Sequence, residues 1–429
     1  MVIFNLQPNG VRRLFSSMEG EARQAARRLS LFRLPKDAQP SPVRVLIAFD
    51  KFKNSLTAVR ACEVGVRALR RCQPDWRLDS CPLTDGGDGF ADILTAAAHG
   101  QRMTFPVTGP RGGMIAAGIG LVLPSQIPAP ARLWLRQPES GGTTARPLAI
   151  IEMAAASGLS LLPAEQHDPW QATSYGTGQL IRTASELGCA GILLGVGGSA
   201  TIDLGLGALS ALGFEFRGPD GAKIRPPTPM HYDRITQIEG EVFSSIPPIC
   251  VACDVINPLL GFDGATAVFG AQKGLRQDDQ PRMEAAVARL AHMLGDHCGR
   301  PSSLAEMPGM GAAGGLPFGL MAGANARLVP GFELVSAWLG LESRIAAADI
   351  VITGEGSFDA TSLAGKGPGA VAARAHSLGK VVHVFAGRIE ERPPHDSWQL
   401  HAITPSGHPD DDARREASEF LFRSIQAAF

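Results

Sequence analysis

The 429-residue sequence predicts an α/β protein whose sheets are mainly parallel. Short apolar runs alternate with amphipathic segments along most of the chain, as in repeated strand–helix units. Polar, glycine-rich clusters follow several of these runs, where strand-end loops are expected. The length is sufficient for two or three domains, each with its own core.

The first predicted strand is VRVLIA, residues 43–48, and residues 56–72 follow it with apolar positions at helical spacing. Further apolar runs predict strands at 149–153, 191–196, 249–254, 350–353 and 381–386. Amphipathic patterns predict helices at 172–188, 201–212, 281–298 and 368–378. Residues 124–147 have the composition of an irregular loop or insertion.

Composition narrows the class of protein. The net charge of −1 and the absence of a basic helix argue against a nucleic-acid partner. No apolar run reaches the roughly 18–20 residues of a membrane span, and no signal peptide is recognisable, so we expect a cytoplasmic protein. The seven cysteines are an odd number; Cys250 and Cys253 have CxxC spacing inside an apolar run. We interpret them as reduced thiols, with a zinc or redox site as the alternative.

Residues 1–42 differ from the rest, with seven Arg or Lys against three acidic residues. This composition predicts a disordered, basic N-terminal extension. An organelle transit peptide is the alternative, although Glu19 and Glu21 count against it.

Glycine is abundant, 50 of 429 residues, and is concentrated in a few clusters. Five polar clusters follow predicted strands: Asp50–Ser55, Thr84–Gly89, Gly195–Gly207, Asp254–Pro258 and Thr353–Asp359. Ligands of open α/β sheets bind beyond the carboxyl ends of the strands, so these clusters are predicted to converge on one crevice. Their residues suit phosphate chemistry: glycine for close approach, carboxylates for metal, lysine for anions, and hydroxyls as donors.

A phosphate-binding interpretation suits Gly195–Ser199 best, because a helix expected to begin near Ala200 would direct backbone N–H groups at an anion. Simpler structural roles remain open. Ser199 could only cap that helix, Asp203 could only balance its dipole, and Lys51 could be a surface charge.

Two nucleotide-binding motifs give different results. A Walker A loop is absent, but Gly195–Ala200 matches GxGxxA, and Glu215 lies about twenty residues beyond Gly195. A dinucleotide-dependent oxidoreductase is therefore one alternative. That motif leaves the other four clusters unexplained, whereas a phosphotransferase uses both carboxylates and lysines.

The clusters resemble, in order, motifs of the glycerate kinase family of the bacterial type that yields 2-phosphoglycerate. The main stretches are LIAFDKFKNSLT (46–57), PLTDGGDGFADIL (82–94), GVGGSATIDLGLGALSALG (195–213), CDVINPLLGFDGATAVFGAQKG (253–274) and DIVITGEGSFDATSLAGKGP (349–368). The resemblance spans roughly residues 43–405. It implies a flavodoxin-like parallel-sheet domain built from 43–90 plus 300–429, and a second α/β domain, 91–299, inserted into it. The active site would be the cleft between them.

The resemblance implies transfer of the γ-phosphoryl group of ATP to the 2-hydroxyl of D-glycerate, with Mg²⁺ as cofactor. The expected catalytic residues are Asp203, Asp85 and Lys53, with either carboxylate as the proton acceptor. The expected phosphate-binding residues are Gly197, Gly198, Ser199, Lys366 and Gly354. The expected substrate-binding residues are Ser55, Asn257 and Asp359, and the expected metal ligands are Asp254 and Glu355. We expect small-molecule partners only, without nucleic acid or membrane, and a homodimer.

Some positions depart from the family pattern. Ile202 and Leu204 replace Asn and Gly, and Ala271 replaces Pro. The Gln expected two residues after Asp359 is missing, since Ala360 is followed by Thr361. These departures leave a second alternative, a non-catalytic descendant that binds glycerate or another hydroxy acid.

Overall fold

Two mainly parallel sheets flanked by helices confirm the predicted α/β class in this computed structural model. The structure describes residues 42–136, 146–363, 367–393, 397–405 and 407–429, and Arg44–Phe429 form one compact unit. The predicted basic extension lies, except for residue 42, outside the described residues.

The described residues contain thirteen strands: β1 Arg44–Phe49, β2 Arg77–Ser80, β3 Gln101–Thr108, β4 Met114–Val122, β5 Leu148–Glu152, β6 Gly191–Gly195, β7 Glu215–Arg217, β8 Gln237–Glu239, β9 Ile249–Ala252, β10 Arg327–Val329, β11 Ile350–Phe358, β12 Val381–Ile389 and β13 Trp398–Ala402.

Their α-helices are α1 Ala58–Cys72, α2 Phe90–Ala97, α3 Ala129–Leu135, α4 Ala154–Ser157, α5 Tyr175–Glu186, α6 Leu206–Leu212, α7 Ala265–Phe269, α8 Gln280–His297, α9 Leu316–Ala324, α10 Gly331–Leu339, α11 Leu341–Ala347, α12 Ala360–Leu363, α13 Gly367–Ser377 and α14 Asp410–Ala428.

The first sheet has the order β2-β1-β11-β12-β13, and all its pairs are parallel. In chain order this is 2-1-3-4-5, the flavodoxin-like arrangement. Five of the six residues of β1 are buried, because helices cover both faces of a central parallel strand. The strand order reverses between β1 and β11, which is where such sheets form a ligand crevice.

The second sheet has the order β10-β9-β6-β5-β4-β3. The four strands from β10 to β5 are parallel, and β4 and β3 form an antiparallel edge. The sheet extends to Arg327–Val329, beyond residue 299, where the expected inserted domain ends. The division into domains stays a prediction.

One predicted helix begins later than expected. The sequence predicts a helix over 201–212, but α6 begins at Leu206. Leu204 and Gly205 take left-handed backbone angles, φ 55° and 70°, which a helix cannot include. Leu204 stands where the family pattern has glycine and adopts the conformation that favours glycine. Ser199 is therefore not the cap of this helix, and the helix dipole does not begin near Ala200.

The seven cysteines all lie in the described ranges, and none forms a disulfide. No group of three or more His, Cys, Asp or Glu side chains within those ranges is arranged to hold a metal ion. Among the described helices, none has the length and apolarity needed to cross a membrane.

Candidate active site

The loop after β1 lies at the strand-order reversal and contacts the glycine-rich end of β11. The Asp50 N–H donates to the Gly354 carbonyl at 3.0 Å, and the Asp50 carboxylate accepts from the Lys51 N–H at 2.7 Å. A Cβ on Gly356 would lie 3.0 Å from the Lys53 nitrogen, so glycine allows this close approach. The predicted convergence of the first and last clusters is therefore observed.

An ion pair joins this loop to the DGGDG loop: Lys51 Nζ lies 2.8 Å from Asp85 Oδ1. The same oxygen accepts from the Gly87 N–H at 3.1 Å. Burial acts to raise the pKa of Asp85, but the charge and hydrogen bond of Lys51 outweigh it, and the pKa is lowered. Burial acts to lower the pKa of Lys51, but the neighbouring carboxylates outweigh it, and the pKa is raised. The side chains are 23% and 49% exposed, so this ionised pair faces the crevice.

Two further carboxyl groups of this crevice have raised pKa values. Burial, with the charge of Asp85, raises the pKa of Asp50 to about 6, against the effect of Lys51. Burial raises the pKa of Glu355 to about 7; a hydrogen bond from Ser362 opposes this, and the charges of Asp50 and Asp85 add to it. Within the described residues, Glu355 Oε1 is buried without a hydrogen-bond partner. These groups can take up or release a proton near neutral pH.

The crowded carboxylates also fit Mg²⁺, which prefers hard oxygen ligands. The unpartnered Oε1 of Glu355 is a donor of that kind. Mg²⁺ in proteins is often bound through one or two carboxylates, with other oxygen ligands completing its coordination.

The glycines of the Gly195–Ser199 loop are required mainly by contact with protein backbone. A Cβ on Gly195 would lie 2.5 Å from the Gly86 carbonyl oxygen, and one on Gly197 2.6 Å from Gly87 Cα. The Gly197 N–H donates to Gly86 O at 3.0 Å. The two glycine-rich loops thus pack directly on each other.

Only part of the Gly195–Ser199 loop remains available to an anion. The Gly197 and Ala200 amides donate to the carbonyls of Gly86 and Ser157. Within the described residues, the amides of Gly198 and Ser199 have no acceptor. A Cβ on Gly198 would lie 3.5 Å from Asp88 Oδ1, so this position borders the DGGDG loop.

Asp203 is fully buried and makes four hydrogen bonds. It accepts from the N–H and hydroxyl of Ser174, both at 2.7 Å, and from the N–H groups of Gly205 and Gly207 at 3.2 and 3.3 Å. Burial raises its pKa, and these hydrogen bonds act to lower it. This geometry favours a role in holding the turn before α6; the predicted catalytic role stays a prediction.

The predicted residues after β9, Asp254 and Asn257, form hydrogen bonds with backbone groups. Asp254 accepts from the Phe332 N–H at 2.8 Å at the start of α10. The side chain of Asn257 donates to Asp263 O at 2.8 Å. A Cβ on Gly86 would lie 3.4 Å from Ala252 O, so the end of β9 adjoins the DGGDG loop.

Of the other predicted residues, Lys53 and Ser55 follow β1, Gly354 lies within β11, and Asp359 follows β11. Lys53 is exposed, and Ser55 donates to Phe52 O at 3.0 Å. Asp359 accepts from the N–H and hydroxyl of Thr361 at 2.8 and 2.6 Å, and the hydroxyl bond is the largest cause that lowers its pKa. A Cβ on Gly354 would clash with Phe385 O, so this glycine serves strand packing. Lys366 lies outside the described residues.

Two buried residues of this region were not predicted from the sequence. Glu152, at the end of β5, accepts from Ala91 N at 3.0 Å and Gly89 N at 3.4 Å, and so anchors the DGGDG loop. Lys273 donates to Ser199. Glu152 is the last residue of a strand, and Lys273 lies in a glycine-flanked turn; many surface residues share such positions, so these signals are weak.

Comparisons with known proteins identify the family of this chain. The family model described as "Glycerate kinase family" matches residues 45–428. Glycerate kinases of Haemophilus influenzae and Bacillus subtilis are 37% and 35% identical, over 81% and 90% of this chain and 87% and 96% of theirs. The glycerate 2-kinase of Escherichia coli is 36% identical over 81% of this chain and 86% of its own.

A solved structure gives the same result. The crystal structure from Salmonella typhimurium LT2 of a protein described as a glycerate kinase 2 is 35% identical, with a TM-score of 0.68. The match covers 90% of this chain and 97% of that one. With a family match over nearly all the described residues and relatives above 30% identity, this chain belongs to the glycerate kinase family.

Proposed function

We propose that this protein transfers the γ-phosphoryl group of ATP to the 2-hydroxyl of D-glycerate, giving 2-phosphoglycerate and ADP. The observation that carries the proposal is the ionised Lys51–Asp85 pair beside Asp50 and Glu355 at the strand-order reversal. Phosphoryl transfer requires cations for the phosphoryl oxygens and a group that orients the acceptor hydroxyl and takes its proton. Lys51 is such a cation, and Glu355 is such a proton acceptor. The E. coli relative's name supports position 2 of the acceptor.

In this proposal Glu355 accepts the hydroxyl proton. A general base works best when its pKa is near the working pH, and the pKa of Glu355 is about 7. Asp85, which the sequence suggested as a base, is held ionised by Lys51 and serves instead to orient that lysine. Asp203 is buried and saturated with hydrogen bonds, so it enters as a structural carboxylate.

The cations and loop amides would position the two substrates. Lys51 neutralises phosphoryl oxygens, and exposed Lys53 on the same loop holds the glycerate carboxylate. The free amides of Gly198 and Ser199 receive a nucleotide phosphate. Mg²⁺ would be held by Asp50 or Asp254, which leaves Glu355 available as the base, and would offset phosphate charge when bound. The expected homodimer and cytoplasmic location stay predictions.

A coupled ADP-release assay with ATP, Mg²⁺ and D-glycerate tests the proposal, with phosphorus NMR to identify the product. Release of ADP with 2-phosphoglycerate supports it, and a 3-phosphoglycerate signal would correct the position. The matched variants are Glu355→Gln and Glu390→Gln, of which the second changes an exposed carboxylate that accepts from the Ser357 hydroxyl at 3.0 Å. We expect a loss of about 10²-fold or more in turnover for the first and little change for the second.

The same assay separates the alternatives. Binding of glycerate without ADP release would indicate a non-catalytic descendant. Tight binding of NADH would support an oxidoreductase, but Glu215, which that reading needs, lies in the β7–β8 hairpin and pairs with Arg217 and Lys223.

A further inference from the structure

Lys273 is a buried lysine immediately behind the Gly195–Ser199 loop. Its residue is 2% exposed, in the short turn after α7. Its Nζ donates to Ser199 Oγ at 2.9 Å and to the Thr201 carbonyl at 2.7 Å. No carboxylate of the described residues forms an ion pair with it, and Asp203 acts on it only at longer range.

Two acceptors among the described residues, Ser199 Oγ and the Thr201 carbonyl oxygen, hold Lys273 Nζ. Burial lowers the pKa of Lys273 to about 7, against the charge of Asp203. Burying such a group is costly unless its hydrogen bonds are made, so the two acceptors and the lysine fix one another.

A series of contacts leads from Lys273 to the crevice. The two acceptors of Lys273, Ser199 and Thr201, lie one and three residues after Gly198 in the sequence. Gly197 packs on Gly87, and the Gly87 N–H donates to the Asp85 oxygen that pairs with Lys51. A shift of the loop at Ser199 would therefore move both its own free amides and the backbone that supports Asp85.

We propose that Lys273 is a positioning residue that clamps the Gly195–Thr201 loop at two points and holds the Gly198 and Ser199 amides toward the transferred phosphate. The clamp itself rests on geometry. Its effect on turnover rests on the proposed function.

The test compares Lys273→Met with Val287→Ala, which truncates a fully buried side chain of α8. Amide hydrogen exchange of a peptide spanning residues 196–204 reads the clamp without any substrate. We expect Lys273→Met to exchange there about tenfold faster than Val287→Ala at matched global stability. Unchanged exchange in Lys273→Met would overturn the clamp.

Kinetics then test the consequence. We expect kcat to fall about 10- to 100-fold in Lys273→Met while the KM for D-glycerate changes by less than threefold, and Val287→Ala to keep both. Equal kcat in the two variants would overturn the positioning role. If the wild type does not phosphorylate D-glycerate, the proposed function fails, but the exchange result still decides the clamp.

Lys273→Gln keeps two N–H donors without a charge, so it should recover part of the lost protection and turnover. No recovery at all by Gln, with an intact fold, would contradict the hydrogen-bond basis of the clamp. If Lys273→Met does not fold, Ser199→Ala removes one acceptor only and should raise exchange over 196–204 by a smaller factor; no rise would overturn the proposal.

Discussion

Asp85 and Asp203 stand in similar sequence surroundings but in opposite environments. Both lie in loops that follow strands, and a glycine comes one or two residues later in the sequence. Asp85 is about half exposed, pairs with Lys51, and has a lowered pKa. Asp203 is fully buried, accepts four hydrogen bonds from neutral donors, and has a raised pKa. Carboxylates beside glycine thus form a partly exposed ion pair in one loop and a buried hydrogen-bond network in the other, and their partners make the difference.

The largest effect is expected from Asp203→Asn. The new amide NH₂ would face donors from Ser174, Gly205 and Gly207, leaving buried N–H groups unsatisfied. We expect a loss of about 3 kcal/mol in unfolding free energy, measured by urea denaturation. A variant of normal stability with turnover reduced a hundredfold would instead make Asp203 catalytic and break the comparison.

Asp85→Asn should show the opposite profile. The pair with Lys51 is partly exposed, so its loss should cost less than about 1 kcal/mol of stability. Turnover should fall about 10²-fold, because Lys51 loses the group that orients it. Turnover of Lys51→Met should fall by a similar factor, and turnover of the double variant should be little lower than that of either single variant in steady-state assays. Additive losses would show that the two residues act independently.

Glu355 should link activity and stability to pH in opposite directions. Its folded pKa of about 7 lies above the ordinary value of 4.5, so the folded state binds the proton more tightly than the unfolded state. The stabilisation contributed by Glu355 is then fully present below pH 4.5 and is lost as pH rises through 7. As a base, Glu355 must be deprotonated, so kcat/KM should rise through pH 7.

Glu355→Gln should therefore remove the acid limb of the pH–rate profile. It should also raise unfolding free energy at pH 8 by roughly 1–2 kcal/mol, with the gain vanishing near pH 4. A gain independent of pH would mean that charge is not its source.

The smallest effect concerns His383 and His401, on β12 and β13, whose Nδ1 and Nε2 lie 3.1 Å apart. Burial and the neighbouring His401 lower the pKa of His383 to about 4. The neutral form stabilises the fold fully above pH 6.5, and this contribution is lost as pH falls toward 4. His383→Gln should flatten that part of the stability profile and leave kcat unchanged; a change in kcat would connect the pair to the crevice.

The fold class could be predicted because apolar runs and glycine-rich clusters are local signals. The same signals located Asp85 and Glu355 in one crevice, since the carboxyl ends of parallel strands share an edge. The helix start near Ala200 was wrong, because nothing local shows that Leu204 takes a left-handed conformation.

Burial and long-range partners could not be predicted. Asp203 depends on Ser174, 29 residues earlier, and Lys273 on Ser199, 74 residues earlier. Lys51 and Lys53 alternate on one loop, and only the position of Asp85 distinguishes them. Partners of this kind are set by tertiary packing rather than by local spacing.

The first sheet also sets an order of events during synthesis. β1 cannot pair with β11 until about 305 further residues are synthesised, as the hydrogen bond from Thr353 Oγ1 to Ala48 O shows. Every strand of the second sheet lies between them and is translated earlier, so that sheet can be complete while β1 still has an open edge. In a ribosome-bound chain stopped at residue 340, we expect the backbone amides of β5, β6 and β9 to be protected from hydrogen exchange and those of β1 to be unprotected. We also expect a chaperone to bind the exposed edge of β1.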